Sequence, residues 1–296
     1  MITEELLQEG YLSMVATLPP VVRGQLPKDL VGQSFRYQLF LAALGQPVGL
    51  TLDQIKAGQL SELIALAVDL TPPAFDPTAT RPGQLGQQRA NAYASQYLLT
   101  QYTATLSQVD FTPQLVQELT IHLEDLILAQ INHLPLNFHQ RISISNALSD
   151  RKYRAGGLGA LTVRHALNAS LGADMVDLLA QVGGNLATAH SLRQEVVQLA
   201  DPAVFTSLIR TGNYPLALLF ARTSQPQLVS DFFQQAHLPS QTAFEQLRSA
   251  CQKSSYQVGG LAKDLLKQVH YDLATLPNGL HKAALTNLLA AEEAAW

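Results

Sequence analysis

One cysteine and one tryptophan occur in 296 residues, and only 14% of the chain is charged. Cys251, standing alone, excludes an internal disulfide and reads as a small core residue. No cluster of lysine and arginine forms a stripe that would track phosphates, and the formal net charge is -4, so no nucleic-acid partner is expected. No run reaches the ~18 uninterrupted apolar residues of a membrane span. The start, "MITEELLQEG", has no basic stretch followed by an apolar one, so no secretory signal is expected and a cytoplasmic location is. Alternating β-branched strands are nearly absent. Familiar catalytic signatures are missing too. The eight histidines are scattered, with no HExxH and no pair at helical metal spacing, which disfavours zinc. There is no G-x-S-x-G elbow and no P-loop. "RAGGLGAL" (Arg154 to Leu161) is rich in glycine, but no strand precedes it, so close helix crossing is its better reading.

What is present is apolar material at helical spacing: 47% of the residues are hydrophobic. "SFRYQLFLAALG", "LSELIALAVDL", "TPQLVQELTIHLEDLILAQINHL", "ADMVDLLAQVGGNLATAHSLRQEVVQLA", "AFEQLRSACQKS" and "YQVGGLAKDLLKQVHYDLATL" all repeat apolar residues three and four apart. Thr112-Pro113 and Asp201-Pro202 are helix starts, and Pro277-Asn278-Gly279 is a break. The expectation is an all-α protein, with central helices apolar around most of their circumference and wrapped by others. A single domain over 1–296 is the simpler organisation, although the length would also allow two. Gly156-Gly157 and Gly183-Gly184 read as close helix packing, His190 as a satisfied core residue, and Tyr97, Leu98 and Leu99 as core.

The order of several fragments adds a resemblance. "YRAGGLGAL", "SLGAD" and "VGGNLATAHSLRQEVVQLADPAVFTSLIRTGNYPLALLFA" resemble, in sequence, the second half of the trans-polyprenyl diphosphate synthases. Gly183, Leu186 and Ala189 keep the spacing of G-x-x-L-G-x-A-F-Q-x-x-D-D-x-x-D, and "TGNYPLALLFA" stands where G-K-x-T-L-P-L-x-x-A would. Upstream, "LVGQSFRYQLFLAALG" is similar to GGKRxRPxLxxLAA, "NAYASQYLL" to AVLxGDYLL and "LILAQINH" to EGQxLD. "LAKDLLKQVHYDLATLPNGLHKAALTNLLA" resembles the closing segment. The likeness covers nearly the whole chain and implies the isoprenoid synthase type of helical bundle with a large central cavity.

The resemblance also marks departures. In that family two aspartate-rich D-D-x-x-D motifs hold Mg²⁺ on the substrate diphosphate. Setting Arg81-Pro82-Gly83 on the R-R-G after the first motif puts Pro72, Pro73 and Asp76 on its aspartates; Gln194, Glu195 and Gln198 fall on those of the second. Spacing i, i+1, i+4 would place carboxylates on one helical face, and Mg²⁺ requires hard anionic oxygens that proline and glutamine do not supply. Adjacent prolines also tend to end or kink the helix that would present them. Asp76 and Glu195 are the only carboxylates left there, so no metal is expected, or these two ligands at most, with Mg²⁺ if the protein is active.

Among the cationic diphosphate contacts the resemblance implies, Arg36, Arg81 and Arg154 remain and Gln130 keeps the glutamine of GQ. Gln33, Ser34, Pro82, Ala155, Ser191 and Asn213 replace other family residues. Ala67 falls on the residue that caps the product tunnel and is small, which implies a deep apolar channel. Asp69 stands where an aliphatic residue is usual. The resemblance thus implies a catalytically silent or regulatory subunit, in a dimer and possibly beside an active prenyl synthase. The alternatives are an active Mg²⁺-dependent prenyltransferase and a non-catalytic protein binding an isoprenoid diphosphate or lipid.

Overall fold

The computed structural model describes residues 3–24, 26, 34–45, 49–74, 80–167, 171–235 and 239–296. Among them every regular element is helical: α1 (Thr3–Thr17), α2 (Pro20–Arg23), α3 (Phe35–Ala43), α4 (Leu52–Ala74), α5 (Pro82–Leu106), α6 (Pro113–His133) and α7 (Ile144–Arg151) make the first half. After them come α8 (Gly157–Ala166), α9 (Ala173–Gln198), α10 (Pro202–Arg210), α11 (Leu216–Ser224), α12 (Pro226–Phe233), α13 (Gln241–Thr275) and α14 (Leu280–Ala294). No described helix is long and apolar enough to cross a membrane. The all-α expectation holds.

The start signals act as hydrogen-bonding caps. Thr112 Oγ1 accepts the Leu115 N–H at 3.2 Å, with Pro113 in the first helical position of α6. Asp201 Oδ1 accepts from Ala203 and Val204 at 2.8 and 3.2 Å, with Pro202 opening α10. These groups satisfy N–H donors that a helix start otherwise leaves unpaired. Two stretches that read separately are one helix. α13 runs 35 residues through Ser254-Ser255 and Gly259-Gly260, because Phe244, Leu247, Cys251, Val258, Ala262, Leu265 and Val269 keep one buried face throughout.

α4 is central: every residue from Leu60 to Ala67 is buried, including Ser61 and Glu62. Leu98 of α5 is fully buried; Tyr97 and Leu99 are half-buried against the same core. α8 and α9 meet along a glycine seam. A Cβ on Gly159 would stand 2.4 Å from the Ala187 Cβ and 2.7 Å from the Gly183 carbonyl oxygen, and one on Gly183 would stand 2.3 Å from a Val163 methyl. Only glycine permits that approach. Between α7 and α8 the chain does not break but widens into one π-turn, Lys152–Gly156, a form that often accompanies functional sites.

A buried polar bridge ties three of the core helices. His165 of α8 is 1% exposed; its Nδ1 lies 2.9 Å from Ser61 Oγ on α4 and its Nε2 2.8 Å from the Tyr102 hydroxyl on α5. Burial pushes the imidazole pKa from 6.5 down to about 3, so the ring stays neutral in the fold. The unfolded chain takes up a proton there below pH 6.5 and the native one does not. Stability should therefore fall as the pH drops from 6.5 towards 3, by up to ~1.4 kcal/mol per unit. Urea unfolding at pH 8 and pH 5 checks this. His165→Gln, which cannot ionise, should lose that part of the slope, and an unchanged slope in the variant would contradict the assignment.

Candidate functional site

A cleft of ≈ 530 Å³ opens between α3, α4, α6, α9 and the π-turn. α3 contributes Phe35 and Arg36, and α4 contributes Val68 and Asp69. Gln130 comes from α6 and Arg154 from the π-turn, while α9 presents His190, Ser191 and Gln194. Spacing of 187, 190, 191 and 194 puts one helical face of α9 on the cleft. The glycine seam allows α8 to lie close behind it.

Arg36 lies between two carboxylates: Nε is 3.6 Å from Glu62 and Nη2 is 3.5 Å from Asp69. Burial alone would weaken its hold on the proton, but the two carboxylates outweigh it and raise the guanidinium above its ordinary range. Arg154 donates through Nη2 and Nε to Asp150 Oδ2 at 2.8 and 3.1 Å, and His133 Nδ1 reaches the same oxygen at 3.0 Å. Burial opposes ionisation of Asp150. The His133 and Arg154 hydrogen bonds outweigh it and hold the carboxyl below its usual value. His190 is half-buried and satisfied, with its ring stacked on Phe35 at 4.1 Å and its Nδ1 3.1 Å from Glu292 of α14. Arg193 donates to the same Glu292 at 2.7 Å, clasping the C-terminal helix to α9.

Glu195 does not face the cleft. It is 4% exposed and points towards the start of α11. Arg151 donates to its Oε2, and its Oε1 accepts the Ala217 N–H at 3.3 Å, with the Leu216 N–H adding to it. Pro215, the residue before α11, offers no side-chain cap, so Glu195 supplies one from a distant helix. This corrects the expectation of Glu195 as, at most, a metal ligand: its carboxylate is turned away from the cleft. One residue past Gln194 turns the side chain about a quarter-turn off the cleft face of α9.

The other sequence candidates separate. Arg36, Arg154, Gln130 and Gln194 line the cleft together. Gln198 is exposed at the last turn of α9, and Arg81 is exposed at the start of α5; neither lines it. Ala67 does not line it either: it is buried, and its carbonyl accepts from Ser95 Oγ at 2.8 Å and Thr71 Oγ1 at 3.0 Å. α5 packs against α4 at this point. Asn213 stands in the loop before α11, beside a small neighbouring cavity that includes His133 and Asp150. Pro72 and Pro73 have helical backbone in the last turn of α4, which ends at Ala74. With no N–H they cannot donate to the carbonyls of Val68 and Asp69. Asp76 and Gln33 lie outside the described residues. Asp150, Arg151 and Glu292, which with Glu62 decide the electrostatics, have no signature of their own in the sequence.

Mg²⁺ fits this donor set poorly. Among the described residues no three His, Cys, Asp or Glu side chains group to hold a metal ion. The one carboxylate on the wall, Asp69, is paired with Arg36.

No protein-family model matches the sequence, and no curated protein matches it. Solved structures do. Geranylgeranyl pyrophosphate synthase from Lactobacillus brevis superposes with a TM-score of 0.81 over 97% of this chain and 95% of that one, at 16% identity. Heptaprenyl diphosphate synthase from Staphylococcus aureus gives 0.76 over 99% and 96%, at 15% identity. A polyprenyl synthase from Caulobacter crescentus, complexed with calcium and isoprenyl diphosphate, gives 0.77 over 98% and 92%, at 17%. The chain has the all-α fold of these prenyl synthases over nearly all of its length.

Removing Glu195 leaves Arg151 without its buried partner and the start of α11 uncapped. Glu195→Ala should lose about 3–5 kcal/mol of stability in equilibrium denaturation. Glu195→Gln, which keeps an acceptor for the Ala217 N–H, should lose less. A neutral Glu195→Ala would contradict the capping role.

Proposed function

We propose that this chain is a prenyl diphosphate synthase relative that has given up metal-assisted ionisation and serves as a catalytically silent subunit in isoprenoid diphosphate synthesis. The observation that carries it is the α9 wall. It offers His190, Ser191 and Gln194 to the cleft, while the carboxylate of that segment, Glu195, is engaged with Arg151 and the start of α11. Ionising an allylic diphosphate takes metal ions that neutralise the leaving group as charge develops, and neutral side chains hold Mg²⁺ weakly. The arginines of the cleft do not compensate, since each already faces a carboxylate of its own chain.

Pairing with another subunit has a surface to use. Ile121, Leu128 and Ile131 of α6 are 48%, 54% and 53% exposed, and their spacing puts them on one face. In the proposed assembly this face meets a synthase subunit of the same fold, or a second copy of the chain. Such a subunit stabilises or shapes its partner without performing the reaction.

The purified protein, incubated with labelled isopentenyl diphosphate, farnesyl diphosphate and excess Mg²⁺, should give no chain-extended product. Product that disappears with EDTA would overturn the proposal and would mean that ligands outside the described cleft hold the metal.

A further inference from the structure

The charge balance of the cleft points away from anionic ligands. Each guanidinium in or behind its wall has an internal partner: Arg36 with Glu62 and Asp69, Arg154 with Asp150, Arg151 with Glu195, Arg193 with Glu292. On the wall itself the charged residues are Arg36, Arg154 and Asp69, beside His190. Asp69 is the open one: its side chain is 58% exposed, against 26% for Arg36 and 22% for Arg154. Glu62 is wholly buried, and that burial raises its pKa above the usual 4.5. If it is ionised, the Arg36 group carries one net negative charge; if it is protonated, Arg36 and Asp69 cancel. In neither state is a cation left over for a phosphate.

The same wall holds a donor with no acceptor: Gln130 Nε2 is buried and has no hydrogen-bond partner in the protein. A buried donor left unpaired is costly, so a ligand atom that accepts from it is favoured. Asp69 has the opposite requirement and seeks a donor. A hydroxyl group meets both, because its oxygen accepts while its proton is donated. Leu39, Val68 and Leu158 give the cleft an apolar surface for a chain behind that head. The glutamine and serine side chains of the wall add neutral polar groups and no charge.

We propose that the cleft binds an uncharged, hydroxyl-headed amphiphile: an apolar chain ending in an alcohol. This rests on the reading that the protein does not ionise diphosphates, and it reverses the charge preference that such a cleft needs for that chemistry. Asp69 sets the preference. It occupies Arg36 and places negative charge where a diphosphate would bring more.

Calorimetric titration of the full chain, without metal, compares three probes that share one chain: geraniol, geranylamine and geranyl diphosphate. Geraniol should bind about tenfold or more tightly than geranyl diphosphate, a difference of ~1.4 kcal/mol or more. Asp69→Asn, a change at an exposed side chain, should tighten geranyl diphosphate and narrow that gap. Diphosphate binding as tightly as the alcohol would overturn the proposal. So would geranylamine binding more tightly than geraniol, no saturable geraniol binding, or a ratio unchanged in Asp69→Asn. The titrations contain no Mg²⁺, so their outcome is separate from the transfer assay: turnover there would overturn the silent-subunit reading whichever probe binds here.

Discussion

Arginine paired with carboxylate inside one chain is the interaction on which the cleft depends. Arg36, Arg151, Arg154 and Arg193 each meet an acid from the same fold, and most of those acids are shielded from water. Such pairs add little net stability over an apolar core, but breaking one strands a buried charge, so they fix geometry firmly. Here they fix which face of α9 is shown to the cleft, how α11 begins and where α14 lies. They also consume the positive potential that a diphosphate site needs. One set of pairs thus sets both the geometry of the cleft and its charge.

Packing places those pairs. The glycine seam between α8 and α9 brings two backbones within a distance that no side chain tolerates, and the π-turn ahead of it turns Arg154 onto the wall. α4, buried all round for two turns, carries Glu62 into the core and Asp69 out to the mouth. The His165 bridge locks α4, α5 and α8 against one another beneath the cleft. Together these contacts make a rigid frame for the cleft.

The fold was largely legible in the sequence. Apolar spacing, Thr112-Pro113, Asp201-Pro202 and the paired glycines all act in the structure as their chemistry implies. The site was legible only in part. Arg36, Arg154, Gln130 and Gln194 could be placed because they occupy motif positions, and they do share one cleft. Glu195 could not, since a one-residue step along a helix decides which way a carboxylate points, and its partner Arg151 lies 44 positions away. Ala67, small at its motif position, is buried and meets α5 through its carbonyl, a contact that side-chain size does not announce. Glu62 left a faint signal: with Asp69 it is one of two acids inside the apolar run "LSELIALAVDL", where a buried charge requires a partner.

Conservation of fold without conservation of the metal-binding face is the account's central claim. The most direct measurement is calorimetric binding of inorganic pyrophosphate to the purified chain, with and without Mg²⁺. The account predicts weak binding that Mg²⁺ does not tighten. Binding that strengthens severalfold with Mg²⁺ and reverts with EDTA would contradict the account, because it would require a metal bridge between diphosphate and protein.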